Sequence, residues 1–133
     1  MSKSITSLEP KELWTNFSEI NAVPRPSKKE ERIIEFMMQF GKKLGLETTK
    51  DDVGNVIIRK PATKGMENRQ PIVLQSHLDM VHQKNASTKF DFNTQGIEMV
   101  VDGDWVKANG TTLGADNGIG VASIMTVLAS PTI

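Results

Sequence analysis

His77, Asp79 and Asp116 are the residues of this chain whose types and spacing could do chemistry. Imidazole and carboxylate are the borderline-to-hard ligands that Zn²⁺, Mn²⁺ and Co²⁺ accept where no thiolate is offered, and the chain has no cysteine. Asp79 lies two positions after His77, close enough to orient the imidazole, fix its tautomer and raise its basicity, or to help polarise a water on a metal. Asp116 follows far downstream in a glycine-rich bend that could return it to the same edge, where a carboxylate can bridge two cations. A strand-end histidine can also be a structural residue satisfied by its neighbours, and residue types alone leave both readings open. His82, the other histidine, lies beyond this corner with no partner in its spacing.

Two stretches must position these groups. Pro71–Met80, PIVLQSHLDM, carries the mostly apolar and β-prone run Ile72–Ser76 into the corner His77-Leu78-Asp79. This predicts a buried strand with the imidazole at its carboxyl edge, where open α/β folds place ligands. Asn109–Gly120, NGTTLGADNGIG, holds four glycines in twelve residues around Asp116. Val121, Ile124, Met125 and Leu128 then fall at helical spacing, so a helix is expected from near Asn117 to Ser130-Pro131. As a phosphate cradle the glycine stretch fits poorly. Gly118-Ile119-Gly120 runs into Val121-Ala122-Ser123, no Gly-Lys-Ser/Thr is present, and Asp116 would repel a phosphate unless a cation intervened.

The remaining elements read as support. Pro10 suits the first turn of a helix whose apolar face is Leu13, Trp14, Phe17 and Ile20, and Val23-Pro24-Arg25-Pro26 ends it. Ser27-Lys28-Lys29-Glu30 has the form of a capping box for a second helix carrying Ile33, Ile34, Met37, Met38 and Phe40 inward and ending near Gly41–Gly45. Its paired methionines are core residues at helical spacing rather than a soft-metal stripe. Glu47–Lys50 and Asn55–Lys60 predict two strands about the turn Asp51-Asp52-Val53-Gly54, where the aspartates serve turn formation better than metal binding. Pro61–Gln70 reads as a polar loop. Ile97–Val101 and Asp104–Lys107 flank Asp102-Gly103 as a hairpin, with Trp105 expected to cover apolar surface. The order predicts an α/β fold, a mixed sheet with flanking helices.

Composition narrows the function classes. At 133 residues there is room for one domain with a real core. Sixteen basic and sixteen acidic residues cancel, so nucleic acid and an anionic membrane are not expected partners. The opening MSKSITSLEP has no apolar run that could act as a signal peptide or membrane span, and a cytoplasmic setting is expected. The glycosylation patterns at Asn16, Asn85 and Asn109 are then chance matches.

The chain resembles the aminoacyl-histidine dipeptidases, also called cytosolic non-specific dipeptidases or peptidase D, within the co-catalytic zinc metallopeptidases. The resemblance covers nearly the whole chain. Three runs carry it: Asp52–Arg69 (DVGNVIIRKPATKGMENR), Leu74–Val81 (LQSHLDMV) and Gly110–Gly120 (GTTLGADNGIG), the last two being specific together in that order and separation. The resemblance implies that His77 ligates one metal and Asp116 bridges two divalent cations. It implies that Asp79 is the catalytic acidic residue supporting the ligand set and the attacking water. Zinc is the implied metal, with cobalt or manganese as alternatives, and the implied activity is hydrolysis of dipeptides, including those with C-terminal histidine. The resemblance also implies a dipeptide substrate as partner and a homodimeric parent.

That pattern also has parts not found here: a Glu-Glu pair after the equivalent of the last helix, supplying a general base and a ligand, a further aspartate and histidine, and an inserted lid or dimerisation domain. Residues 1–133 are therefore expected to be the amino-terminal portion of a zinc-exopeptidase-like catalytic domain, inactive by itself. Alternative readings are a related metal-dependent exopeptidase or amide deacylase, or a non-enzymatic interaction domain of the same fold.

Overall fold

The structure is a computed structural model and describes residues 4–133. Met1–Lys3, the start of the stretch read for a leader, lie outside the described residues. After a 3-10 turn at Ile5–Ser7 come α1 (Lys11–Ala22), α2 (Glu31–Lys43), β1 (Glu47–Lys50), β2 (Val56–Arg59), β3 (Met99–Asp102), β4 (Trp105–Ala108) and α3 (Ala115–Ala129).

The core forms where helical periodicity turns apolar side chains to one side. Phe17 and Ile20 of α1, Ile33 and Met37 of α2, and Val121, Ala122 and Met125 of α3 are buried together. Trp14 meets Phe17 edge-on with ring centroids 6.0 Å apart. Helix α1 lies along α3, and Asn16 Nδ2 donates to Thr126 Oγ1 across that contact at 2.9 Å. Met37 is buried in this core, while Met38, also expected to point inward, is half-buried outside it.

The expected α/β class holds, with strands flanked by helices. The sheet itself is divided into two antiparallel ladders, β1 with β2 and β3 with β4. In the first, Glu47 pairs with Arg59 and Lys50 with Val56; α2 packs over it. Its turn is built by Asp51, whose Oδ1 accepts from the N–H groups of Val53 (3.1 Å) and Asn55 (2.8 Å) and whose Oδ2 accepts from Asn55 Nδ2 (2.7 Å). The aspartate thus serves the turn. In the second ladder Asp102 faces Trp105, so the loop is the pair Gly103-Asp104, and Gly103 has φ +58°, a backbone angle glycine adopts freely.

Three expectations are corrected. Ile72–Ser76 is extended but belongs to no ladder, and Ile72 and Val73 are 79% and 92% exposed. A strand needs a hydrogen-bonded neighbour, and among the described residues no segment pairs with this run. Ser27 does not cap α2: the residue before the helix is Glu30, which makes no side-chain cap bond, and its Oε1 instead accepts the Lys28 N–H at 2.5 Å. Trp105 is 71% exposed and covers nothing, because its side of the β3–β4 ribbon faces solvent. Among the described residues no helix is long and apolar enough to cross a membrane.

Candidate metal centre

The His77-Leu78-Asp79 corner is held from below by the linker between α1 and α2. Pro24 and Pro26 keep that linker extended, and it runs beside residue 80 in a short parallel bridge between Pro26 and Met80. The Met80 N–H donates to the Arg25 carbonyl at 3.0 Å, and the Ser27 N–H donates to the Met80 carbonyl at 3.1 Å. Arg25 is 2% exposed. Its Nη1 donates to the carbonyls of Leu78 (3.1 Å) and Asp79 (3.3 Å), and its Nη2 donates to Asn21 Oδ1 and to the Gly114 carbonyl, both at 2.8 Å. Burial pulls the guanidinium down to about 10, while the Asp79 charge pulls the other way. It stays a cation at neutral pH.

Gly114 opens α3 in the left-handed region, φ +73°. A Cβ there would stand 2.6 Å from Arg25 Nη2 and 2.7 Å from Met80 Sδ, so the position needs glycine for both angle and space. Asp116 and Asn117 follow in non-helical conformations, joined by a cis peptide, before the regular helix. The Asn117 carbonyl accepts from Ser76 Oγ at 3.2 Å, a direct bond between the two motif stretches. The bend holds the Asp116 carboxylate clear of the helix, with its side chain 96% exposed.

His77, Asp79 and Asp116 meet. His77 Nδ1 lies 3.0 Å from both Asp79 Oδ1 and the Asp79 carbonyl, and Nε2 lies 3.2 Å from Asp116 Oδ1. Asp79 Oδ2 accepts from Ser27 Oγ at 2.5 Å. Both neighbours of Nδ1 can only accept, so the network assigns the proton to Nδ1. Nε2 then faces a carboxylate oxygen that also only accepts. Something positive must lie between them, a proton or a cation.

The electrostatics of these side chains agree. Burial alone would lower the His77 pKa, but the hydrogen bonds to Asp116, to the Asp79 carbonyl and to the Asp79 carboxylate, with the Asp79 charge, together raise it above its ordinary value. The Ser27 hydroxyl, first, and the His77 ring hold the Asp79 carboxyl below the usual range against a smaller opposing effect of burial. A tetrahedral zinc with bonds of roughly 2.0–2.2 Å would put a nitrogen and an oxygen ligand about 3.4 Å apart, near the separation found here. The donor set therefore fits part of a metal shell. It is only part: among the described residues no group of three or more His, Asp or Glu side chains is arranged to hold an ion.

Sequence reasoning found these three residues and missed two that position them. By sequence pattern Arg25 belongs to a helix stop and Ser27 to a helix cap. The available signal was an arginine between two prolines, a charged side chain where the backbone could form no regular structure. His82 stays outside the site and packs on Phe92, ring centroids 5.3 Å apart. A cleft of about 240 Å³ beside it is lined by Ser27, Lys29, Phe90 and Asp91 among others, and by none of the three site residues.

The chain is 52% identical over 129 residues to the cytosol non-specific dipeptidase of Escherichia coli, an alignment spanning 97% of this chain and 27% of that protein. It superposes on the crystal structure of an aminoacylhistidine dipeptidase from Vibrio alginolyticus with a TM-score of 0.96 at 49% identity, covering 98% of this chain and 27% of that one. The resemblance read from the sequence is thus borne out over nearly the whole chain. The chain spans about a quarter of the length of either relative. No protein-family profile matches it.

Proposed function

We infer that residues 1–133 are the amino-terminal portion of the catalytic domain of a metal-dependent dipeptidase of the cytoplasm. The observation that carries the reading is the His77–Asp116 pair. Nε2 and a carboxylate oxygen face each other at 3.2 Å while Nδ1 is committed to Asp79, in a chain 52% identical to a dipeptidase.

His77 would hold one divalent cation and Asp116 would stand between two; zinc, or else cobalt or manganese, supplies Lewis acidity at the scissile carbonyl and a nucleophile at neutral pH. Asp79 accepts the Nδ1 proton, and so keeps the Nε2 lone pair directed at Asp116. Arg25, by holding the carbonyls of Leu78, Asp79 and Gly114 at once, keeps the two motif stretches at a fixed separation. Substrates are dipeptides, including those ending in histidine, and the complete protein is a homodimer. The 133 residues alone do not turn over substrate, since among the described residues the trio is not completed into a group able to hold an ion.

The experiment is hydrolysis of a dipeptide with C-terminal histidine by the longer protein that contains this segment. Activity should vanish on chelation, return with zinc, and be lost in His77→Ala and Asp116→Ala. Hydrolysis that survives chelation and both substitutions would overturn the reading, as would turnover by the 133-residue chain for the claim of inactivity.

A further inference from the structure

Ser27 lies on the linker between α1 and α2, and its hydroxyl reaches Asp79 Oδ2 at 2.5 Å. The same hydroxyl lies 3.2 Å from the Met80 carbonyl, but a charged acceptor at the shorter distance takes the proton. This is not a loose surface contact. Backbone bonds from Ser27 N–H to the Met80 carbonyl and from Met80 N–H to the Arg25 carbonyl fix the two segments side by side. The helix-capping alternative fails, because α2 begins without any use of this hydroxyl.

The two oxygens of Asp79 are divided between two donors. Oδ2 takes the Ser27 hydroxyl and Oδ1 takes His77 Nδ1. The last torsion of an aspartate is broad, so a carboxylate held at one oxygen only can rotate away from its ring partner. Held at both, its plane is fixed.

We propose that Ser27 is a positioning residue of the candidate metal centre, acting through Asp79 to keep the His77 imidazole in the Nδ1–H tautomer that leaves Nε2 free for a cation. The use made of the tautomer rests on the dipeptidase reading; the tautomer itself does not. A neutral histidine in water favours Nε2–H, so release of Asp79 lets the ring revert. An orienting partner behind a ligating histidine is typically worth about 10- to 100-fold in metal affinity.

The test uses the 133-residue chain with ¹⁵N-labelled histidine. Multiple-bond ¹H–¹⁵N spectra are taken above the imidazole titration in the absence of metal, and Co²⁺ alone is titrated by calorimetry into the longer protein that contains this segment. In the unsubstituted chain His77 is expected as the Nδ1–H tautomer. Ser27→Ala is expected to move a large fraction to Nε2–H and to weaken Co²⁺ binding about tenfold, while Ser27→Thr keeps both near the starting values. The His82 signals report the fold, since that ring packs on Phe92. If Ser27→Ala does not fold, Ser27→Cys, nearly isosteric but a weak donor, should show the same tautomer change. An unchanged tautomer in Ser27→Ala, or in Ser27→Cys where the alanine does not fold, overturns the proposal, and so does a threonine variant that behaves like the alanine. A tautomer change in the 133-residue chain together with no Co²⁺ binding by the longer protein supports the Ser27 assignment and overturns the metal reading instead.

Discussion

Arg25 Nη2 donates to the Gly114 carbonyl at 2.8 Å across 89 positions of sequence. The other end of that guanidinium holds the carbonyls of Leu78 and Asp79. One buried side chain therefore sets the distance between the histidine corner and the glycine-rich bend. Arg25→Ala leaves these carbonyls and Asn21 Oδ1 without their donor, and each buried orphan costs about 1–3 kcal/mol. A loss of about 3 kcal/mol or more is expected in urea denaturation. Arg25→Lys should recover only a part, because a single ammonium cannot span the same acceptors. A wild-type midpoint for the alanine variant would contradict this.

Two glycines with similar backbone angles separate conformation from space. Gly103→Ala meets only the left-handed angle, with nothing near the added methyl, and should cost about 1–2 kcal/mol. Gly114→Ala carries the same angular cost and also drives its Cβ into the Arg25 head group and Met80 Sδ. Thermal unfolding should rank Gly114→Ala clearly below Gly103→Ala. Equal effects would mean the arginine can move aside at no cost.

The β1–β2 turn gives a pH dependence of known sign. The Asn55 side chain first, then the Asn55 N–H and other turn amides, hold the Asp51 carboxyl below its ordinary value of 3.8. A carboxyl lowered by folding contributes stability above its unfolded pKa and loses it as pH falls through the folded one. Asp51→Ala should therefore be destabilised at neutral pH. The gap to wild type, measured as urea midpoints along a pH series, should close as the acid limb is reached. A pH-independent gap would place the effect elsewhere than in the charge.

His77 carries the opposite sign. Its pKa is raised above 6.5 despite burial, chiefly by the bonds to Asp116 and Asp79. The stabilisation is complete below the unfolded value and is lost as pH rises through the folded one. In the chain with chelator present, NMR should find His77 titrating above an ordinary histidine, and Asp116→Ala should bring it down. The stability difference between wild type and Asp116→Ala should be larger on the acid side of this range than above it. A His77 midpoint that ignores the substitution would break the pairing described here.

Much of this was legible in the sequence, for local reasons. Helical spacing pointed to the core residues Phe17, Ile20, Ile33, Met37, Val121 and Met125; Asp51 marked one turn through a side chain that bonds nearby backbone amides, and Gly103 marked the other through its positive φ. The trio of His77, Asp79 and Asp116 followed from ligand chemistry and from glycines that permit a return bend. What was hidden is what depends on distant partners. Ser27 obeys the pattern of a helix cap, yet a carboxylate 52 positions away takes its proton, and no local rule weighs those two acceptors. Ile72–Ser76 has strand composition, but pairing is decided by which neighbour is present.

That unpaired run has a mechanical consequence. Ile72 and Val73 are almost wholly in water, whereas Met80, a few residues on, is 2% exposed and bonded through both its N–H and its carbonyl. The histidine corner is thus a cantilever, clamped at its far end by Arg25, Ser27 and Met80 and loaded by a free arm on the near side. The Ser76 hydroxyl, bonded to the Asn117 carbonyl, stands between the arm and His77. Amide exchange should therefore fall steeply between Leu74 and Met80. Any partner that pairs with the arm would stiffen the imidazole without touching it.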